Sequence, residues 1–504
     1  SRVILRDAID KFKVELSRLL REHPYVFTYM DGIENADEIE EICITSATEL
    51  EFWVRTPDDK ADREQLSTSQ ELKEQYWKRT YGPVRTALEK SIEILDRYGF
   101  EMEMGHKEVG GVKSKLTSTG AHDHIMEQLE IDWKYADAMQ AADNEKQVKY
   151  VVRDVFNQFG LSTTFMAKPM PGVAGNGEHT HLGVCAKLKN GRLVNLFAPQ
   201  AFDAEFLSPV GFGALMGILK NYEAINPFVS STTDSLNRLK PGYEAPVCIV
   251  TSLGHSPAEP SRNRTILIGL VRDAKSALAT RFELRAPNPK TNTYLVLAAA
   301  YMAMLDGIKA ALTAEKTPKE LEASLSKKYG EEDFYLEKDR EYRSERDVFE
   351  DFTEEERQKL FGRAPATVWE NLQGFADYPE KVAAISGEGV ITPISLESYK
   401  DSILSQWKTE LHNRIIPNYM GEVRECVRLH GEDATDYDID NWLEIQRLRV
   451  HIAKNSLEAK CLLSRAAEAL DNNDFALASD LQIELSQKME LLRARYLNYK
   501  RNLF

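Results

Sequence analysis

The sequence predicts a mixed α+β fold, and three patterns predict it. Apolar residues at Leu5, Ile9, Phe12, Leu16, Leu19 and Leu20 recur at helical spacing between Val3 and Leu20. Strict alternation over Arg281-Phe282-Glu283-Leu284-Arg285 and over His179-Thr180-His181 has the period of strands. Between them, clusters of glycine and proline punctuate further helical and β-prone runs. At 504 residues the chain can bury a large core, in two or three domains or in one large catalytic domain with appendages. Charged residues make up 29% and hydrophobic residues 42%, the balance of a soluble globular protein. A net charge of -16 argues against a nucleic-acid or anionic-membrane partner and fits cation binding. Five cysteines (Cys43, Cys185, Cys248, Cys426, Cys461) lie far apart with no Cys-x-x-Cys, as expected of reduced thiols in a cytoplasm. Tyr294 to Leu305 is apolar but too short to span a bilayer, and no signal peptide opens the chain.

In chain order, the first helix is followed by Glu41 to Val54, a β-prone run that puts Glu49 and Glu51 on one face. Two carboxylates side by side repel unless a cation sits between them; the alternative is a solvated edge strand. Gln70 to Tyr98 reads as a helix, Glu101 to Val109 carries Glu108, and Met126 to Tyr135 carries Glu130. His122 and His124 have ligand-like spacing, but with no third partner placed beside them a surface loop is the expectation. Asp137 to Phe159 is helical, and Leu161 to Lys168 is a short strand.

The stretch Pro171 to Val184 organises the chain. Gly172, Gly175 and Gly177 let the backbone turn tightly and approach a ligand, and His179 and His181 then point one way from a strand. Two imidazoles on one face could hold a metal or a phosphate; a polar turn before a half-buried strand is the plainer reading. Ala204 to Asn226 is an apolar helix, and the loop from Asn237 to Pro246 carries Arg238 and Glu244. Ser261-Arg262-Asn263-Arg264 is basic. In the alternating strand Phe282 and Leu284 face a core, so Arg281, Glu283 and Arg285 share the other face, a set suited to binding anions and a metal or to a surface salt bridge. Thr293 to Ile308 is an apolar helix, and Glu315 to Glu356 reads as an exposed, charged helical insertion. Beyond Pro393 the chain is helical, and Trp442 to Leu470 and Asp474 to Tyr499 form two amphipathic helices hinged at Asp471 to Asp474.

These residues carry a resemblance. Thr48-Glu-Leu-Glu-Phe, Glu127-Gln-Leu-Glu130-Ile-Asp with Tyr135-Ala-Asp, Thr164-Phe-Met-Ala-Lys-Pro-Met-Pro-Gly before the glycine loop, Arg238-Leu-Lys-Pro-Gly-Tyr-Glu-Ala-Pro, Ser261-Arg-Asn-Arg, Arg281-Phe-Glu-Leu-Arg and Thr293-Tyr-Leu-Val-Leu-Ala-Ala occur in order. Together they resemble the catalytic domain of the glutamine synthetase family. The matches span about Val3 to Ile308, and the resemblance implies a curved antiparallel sheet, a half-barrel flanked by helices; the expected division is a catalytic domain over residues 1–435 and, from the amphipathic pattern, a C-terminal helical hairpin over 436–504. It implies two Mg²⁺ or Mn²⁺ ions per site, ATP as co-substrate, and a ring-type homo-oligomer such as a dodecamer in the cytoplasm.

By the same resemblance, Glu51, Glu108 and Glu130 bind the metal nearest glutamate, while Glu49, His179 and Glu283 bind the one on the ATP phosphates. Arg238 and Arg285 clamp glutamate, and Gly175 leaves room for it. His181, Arg264 and Arg281 bind ATP, with Arg264 and Arg281 also serving the phosphoryl transfer. Glu244 takes a proton from the incoming ammonium. The reaction implied is ATP-dependent glutamine formation through γ-glutamyl phosphate. The chain departs from the family pattern at Ala174, Glu178 and Gly269, where Arg272 is a candidate substitute for an arginine, and in a longer Glu108 to Glu130 separation. The family's N-terminal β-grasp domain is not seen before Val3. Two further expectations follow: a γ-glutamyl ligase acting on an organic amine, and a catalytically silent scaffold of the same fold.

Overall fold

The computed structural model describes residues 1–57, 80–113, 124–170, 173–239, 248–273 and 275–503, with the side chains of 109–113, 124 and 125 left out. The chain divides into two compact units, residues 1–364 with 374–392, and residues 365–373 with 393–504.

The first unit opens with helix α1 (Arg2–Glu22), whose expected apolar stripe is buried from Leu5 to Leu20. The strands are β1 (Ile39–Pro57), β2 (Met102–Lys113), β3 (His124–Trp133), β4 (Ala136–Asp137), β5 (Ser162–Thr164), β6 (Glu178–Leu188), β7 (Leu193–Asn195), β8 (Thr251–Ser252), β9 (Gly254–Ser256), β10 (Glu259–Pro260), β11 (Ile268–Asp273) and β12 (Ser276–Leu284). Among the described residues ten of them form one mixed sheet, with neighbours in the order β2-β3-β1-β6-β12-β11-β8. Every pairing in it is antiparallel except β11 with β8.

Helices α2 (Gly82–Arg97) and α3 (Ala138–Gln158) cover one face of this sheet. Leu50, Phe52 and Val54 of β1 and Leu129 and Ile131 of β3 pack there against Leu88, Val152, Val155 and Phe156. Each such large side chain taken from water is worth roughly 1.5–3 kcal/mol, which locks the strand's facing. Because side chains alternate, Glu49 and Glu51 are held on the opposite face, and a slip of one residue would bury them in this core.

Helix α4 (Pro209–Val229), the short α5 (Thr233–Arg238) and α6 (Thr293–Thr313) follow. In α4 and α6 the backbones nearly touch: a Cβ on Gly217 would fall 2.0 Å from Ala303 O. By length and composition α6 could cross a membrane, since the helix runs beyond the apolar stretch read from sequence; 83% of its apolar window is buried within the fold, which accounts for that composition.

Several elements differ from expectation. The apolar helix begins at Pro209 rather than Ala204 because Ser208 caps it, its Oγ accepting from Gly211 N. The strand expected over Leu161 to Lys168 is three residues long. Of the helix expected over Gln70 to Tyr98, residues 82–97 are helical and 70–79 lie outside the described residues. The region Glu315 to Glu356 is not an exposed helical insertion. Beyond α7 (Pro318–Leu325) it is largely irregular, and Leu321, Leu336, Tyr342 and Val348 are buried. Several of its charges are paired, as where Arg343 Nε meets Glu345 Oε1 at 2.7 Å and Nη1 meets Glu322 Oε1 at 3.0 Å. Helices α8 (Glu354–Phe361) and α10 (Pro379–Ser386) follow, and α9 (Val368–Asp377) between them has residues 368–373 in the second unit and 374–377 in the first.

The second unit is helical: α11 (Pro393–Glu410), α12 (Ile416–Glu425), α13 (Asp436–Ala453), α14 (Leu462–Asp471) and α15 (Phe475–Arg501). Where one helix is expected from Trp442 to Leu470 there are two. The break is a turn in which Asn455 Oδ1 accepts from Cys461 N at 2.8 Å. The hinge at Asp471 to Asp474 is retained, with Asp474 capping α15 through Leu477 N.

Candidate active site

The open face of β1 is acidic because its register brings chemistry-bearing residues opposite one another. Glu51 faces Glu130 of β3, and Glu49 faces Asp132 on one side and His179 of β6 on the other. His181 in turn faces Glu283 of β12, and His106 of β2 faces Glu130. In two triads the ligand-type atoms lie within 4.8 Å of one another: Glu49, His179 and Glu283 in one, Glu51, Glu108 and Glu130 in the other. Residues separated by more than two hundred positions thus converge in the two groupings that the family resemblance implies. A third set, His106, Glu130 and Asp132, shares Glu130 with the second triad.

The triads differ in charge balance. His179 Nδ1 lies 3.0 Å from Glu49 Oε2 and 3.4 Å from Glu283 Oε1, and His181 Nε2 lies 2.8 Å from Glu49 Oε1. Burial opposes ionisation of Glu49, but its hydrogen bonds with His179 and His181 hold its carboxyl far below the usual range. Burial likewise works against Glu283, and the neighbouring Arg285 and His179 outweigh it. In the second triad one imidazole faces a denser group of carboxylates: His106 Nε2 lies 3.2 Å from Glu130 Oε1 and its Nδ1 3.8 Å from Glu108 Oε2. Burial, then the negative charges of Asp132, Glu51, Glu49 and Glu283, push the Glu130 carboxyl well above the usual range. Burial and Glu49 raise Asp132 to about 7. Its Oδ1 is buried with no hydrogen-bond partner among the described residues.

The glycine loop closes against this face. A Cβ on Gly177 would enter the space between Arg238 Nη2, His179 Nε2 and Glu51 Oε1, at 2.8, 2.9 and 3.1 Å, so a side chain there would displace site groups. Gly175 lacks room for internal reasons: its Cβ would meet Ala167 O at 2.4 Å and Arg238 Cγ at 2.8 Å. Glu178, where the family pattern is apolar, is fully buried and turned away from the triads. Its carboxylate accepts from Lys149 Nζ at 3.0 Å and from Thr293 Oγ1 at 3.1 Å, and Lys149 also pairs with Glu145 and donates to Pro289 O.

The arginines stand around the triads in distinct states. Arg281 Nε donates to His181 Nδ1 at 3.1 Å, so His181 ties Glu49 to Arg281. Arg285 Nη1 donates to Glu283 Oε1 at 2.5 Å and its Nε to Arg264 O at 3.2 Å. Arg238 donates to the carbonyls of Ala286 and Arg285, and burial pushes its guanidinium down to about 10. Arg264 is exposed. Arg272 donates to Phe202 O and Glu205 O and stacks on Phe202, so it is engaged with that loop. Gly269 lies opposite Glu283 in register. Glu244, Gly172 and His122 lie outside the described residues, as does the side chain of His124.

Sequence reasoning passed over His106, Asp132 and Gln128. Their neighbours Glu108 and Glu130 were assigned through the family resemblance; alternation puts His106 on the face of Glu108, and Gln128 and Asp132 on the face of Glu130.

A family model described as glutamine synthetase, catalytic domain, matches residues 33–333. The chain is 37% identical over 231 residues to the glutamine synthetase of Clostridium saccharobutylicum, covering 46% of this chain and 44% of that protein. To that of Halobacterium salinarum it is 38% identical over 218 residues, 43% of this chain and 41% of the relative. To that of Escherichia coli K12 it is 37% identical over 216 residues, 43% and 40%. The matched stretch thus spans less than half the length of these relatives. Matched from residue 33 to 333, across the strands that carry both triads, the chain belongs to the glutamine synthetase family.

Proposed function

We propose that the chain is a glutamine synthetase-type ligase that joins ammonium to glutamate at the expense of ATP, through γ-glutamyl phosphate, with two Mg²⁺ or Mn²⁺ ions per site. The observation that carries the reading is the meeting of six side chains in two adjacent triads on one sheet face. Five carboxylates and one imidazole are a donor set for hard divalent cations. The residues fit such ions: burial and the neighbouring carboxylates raise the Glu130 and Asp132 carboxyls, and bound cations would relieve that repulsion.

Glu51, Glu108 and Glu130 would hold the ion nearest glutamate, and Glu49, His179 and Glu283 the ion on the ATP phosphates. Bound there, the ions supply charge neutralisation for the transferring phosphoryl group. Arg281, oriented by His181, would meet the same phosphate, with Arg264 beside it. Arg238 and Arg285, joined through the Arg285 carbonyl, would bind the glutamate carboxylates by charge-assisted hydrogen bonds. Glu244 would take the proton from ammonium and help exclude water from the acyl phosphate. The acidic net charge supports small-molecule substrates over nucleic acid or membrane, and a cytoplasmic ring-type homo-oligomer completes the reading.

Phosphate release from ATP with glutamate, measured with ammonium and then with a panel of amines, tests it. Release with ammonium is expected; release only with an organic amine would make the chain a γ-glutamyl ligase of another acceptor. No release with any acceptor would leave a silent scaffold. Glu283→Ala should abolish release, and retained activity would refute the metal assignment.

A further inference from the structure

Glu51 is not held by its strand alone. Its Oε2 accepts from Gly177 N at 2.6 Å and from Gln128 Nε2 at 2.8 Å. The same Gln128 nitrogen donates to Gly175 O at 2.9 Å and lies 3.2 Å from Asn176 Oδ1. Asn176 is itself oriented without ambiguity. Its Nδ2 faces two carbonyls, Thr164 O at 3.3 Å and Met166 O at 2.8 Å, so its Oδ1 must face Gln128. Three acceptors around one end of the Gln128 amide then require that end to be the NH₂ group. Gln128 is 1% exposed and Asn176 fully buried, so water does not compete for these bonds.

Two consequences follow for the carboxylate. With two N–H donors on Oε2, Glu51 offers a cation its other oxygen, Oε1, to which no described residue donates a hydrogen bond. The neutral amide also orients the carboxylate without adding charge where Glu51, Glu108 and Glu130 already crowd. We infer that Gln128 is a positioning residue that fixes Glu51 as a one-oxygen cation ligand and couples that cation site to the glycine loop through Gly175 and Gly177. The inference rests on the cation reading above. An ion that fixes Glu51 restrains the loop backbone bonded to it through Gly177 N and Gln128, and a loop that shifts loosens the ligand.

Mn²⁺ titration of the full chain, followed by electron paramagnetic resonance and calorimetry, tests this without reference to turnover. The wild type is expected to bind two ions. Gln128→Met keeps the side chain's length and removes the donors; it should weaken one ion about 10- to 100-fold and leave the other unchanged. In a Glu283→Ala background, where the ion at Glu51 is the one that remains, Gln128→Met should weaken that ion by the same factor. Equal weakening of both ions, or of neither, would overturn the inference. Absence of Mn²⁺ binding by the wild type would overturn the cation reading and this inference with it. A second measurement uses the wild type alone, so it stands if the variant does not fold. Amide exchange over residues 173–178 should slow about tenfold or more on adding Mn²⁺. Unchanged exchange there would show that the loop and the ion are independent.

Discussion

Replacing Asp132 by asparagine should stabilise the metal-free protein, against the usual expectation for a buried substitution. Asp132 lies opposite Glu49, its Oδ1 has no hydrogen-bond partner among the described residues, and the His106 Nε2 imidazole nitrogen is 3.9 Å from its Oδ2. Burial and Glu49 raise its carboxyl from an ordinary 3.8 to about 7. A folded-state pKa above the unfolded one means that the native state still binds a proton the unfolded chain has released. Stability therefore falls as pH rises through that window. At 1.36 kcal/mol per pH unit the full cost above pH 7 is about 4 kcal/mol, and the side chain is too buried for solvent to screen much of it. The amide keeps the shape and removes the charge, so in EDTA at pH 8 the gain from Asp132→Asn should be about 2–4 kcal/mol, a shift of a few degrees in the unfolding midpoint. At pH 5 the gain should fall below about 2 kcal/mol, because the wild-type carboxyl is largely protonated there. Added Mn²⁺ should narrow the difference at pH 8 by stabilising the wild type. Thermal unfolding at both pH values, with and without the ion, gives the comparison. A loss of stability at pH 8, or an equal gain at pH 5, would refute the claim that the Asp132 charge destabilises the metal-free fold.

Two other substitutions probe the scaffold. Lys149→Met should cost about 3–5 kcal/mol in chemical denaturation, since it strips the cation from the buried Glu145 and Glu178 carboxylates; adding Glu178→Met should recover much of that loss, and a double variant no better than the single would contradict the pairing. Gly217→Ala should destabilise by about 1–3 kcal/mol, because its methyl would be driven against the Ala303 carbonyl; an unchanged denaturation midpoint would show that α4 and α6 can separate freely.

The faces of the strands were readable because the chemistry alternates. Leu50 and Phe52 against Glu49 and Glu51, and Phe282 and Leu284 against Arg281, Glu283 and Arg285, leave one arrangement that buries the apolar set. What alternation cannot supply is the neighbour. That Glu49 lies between Asp132 and His179 depends on a register joining segments up to 130 residues apart. The irregular pairing of β2 around Lys107 and Val109, which accompanies Glu108 into the second triad, is likewise tertiary. Here the family likeness supplied the groupings that the residues alone did not. His106, Asp132 and Gln128 were missed for this reason: each shares a face with a recognised ligand, but its role depends on what lies across the strand. The Glu315 to Glu356 region misled for another. Its charge density suggested solvent, whereas Lys381, only 5% exposed, pairs with both Glu223 and Glu337.

Crystals grown with Mn²⁺ and measured at the manganese absorption edge test the central claim most directly. Two anomalous peaks are expected, one within coordination distance of Glu49, His179 and Glu283, the other of Glu51, Glu108 and Glu130. A protein that takes up Mn²⁺ elsewhere, or shows no peak at either triad, would contradict it.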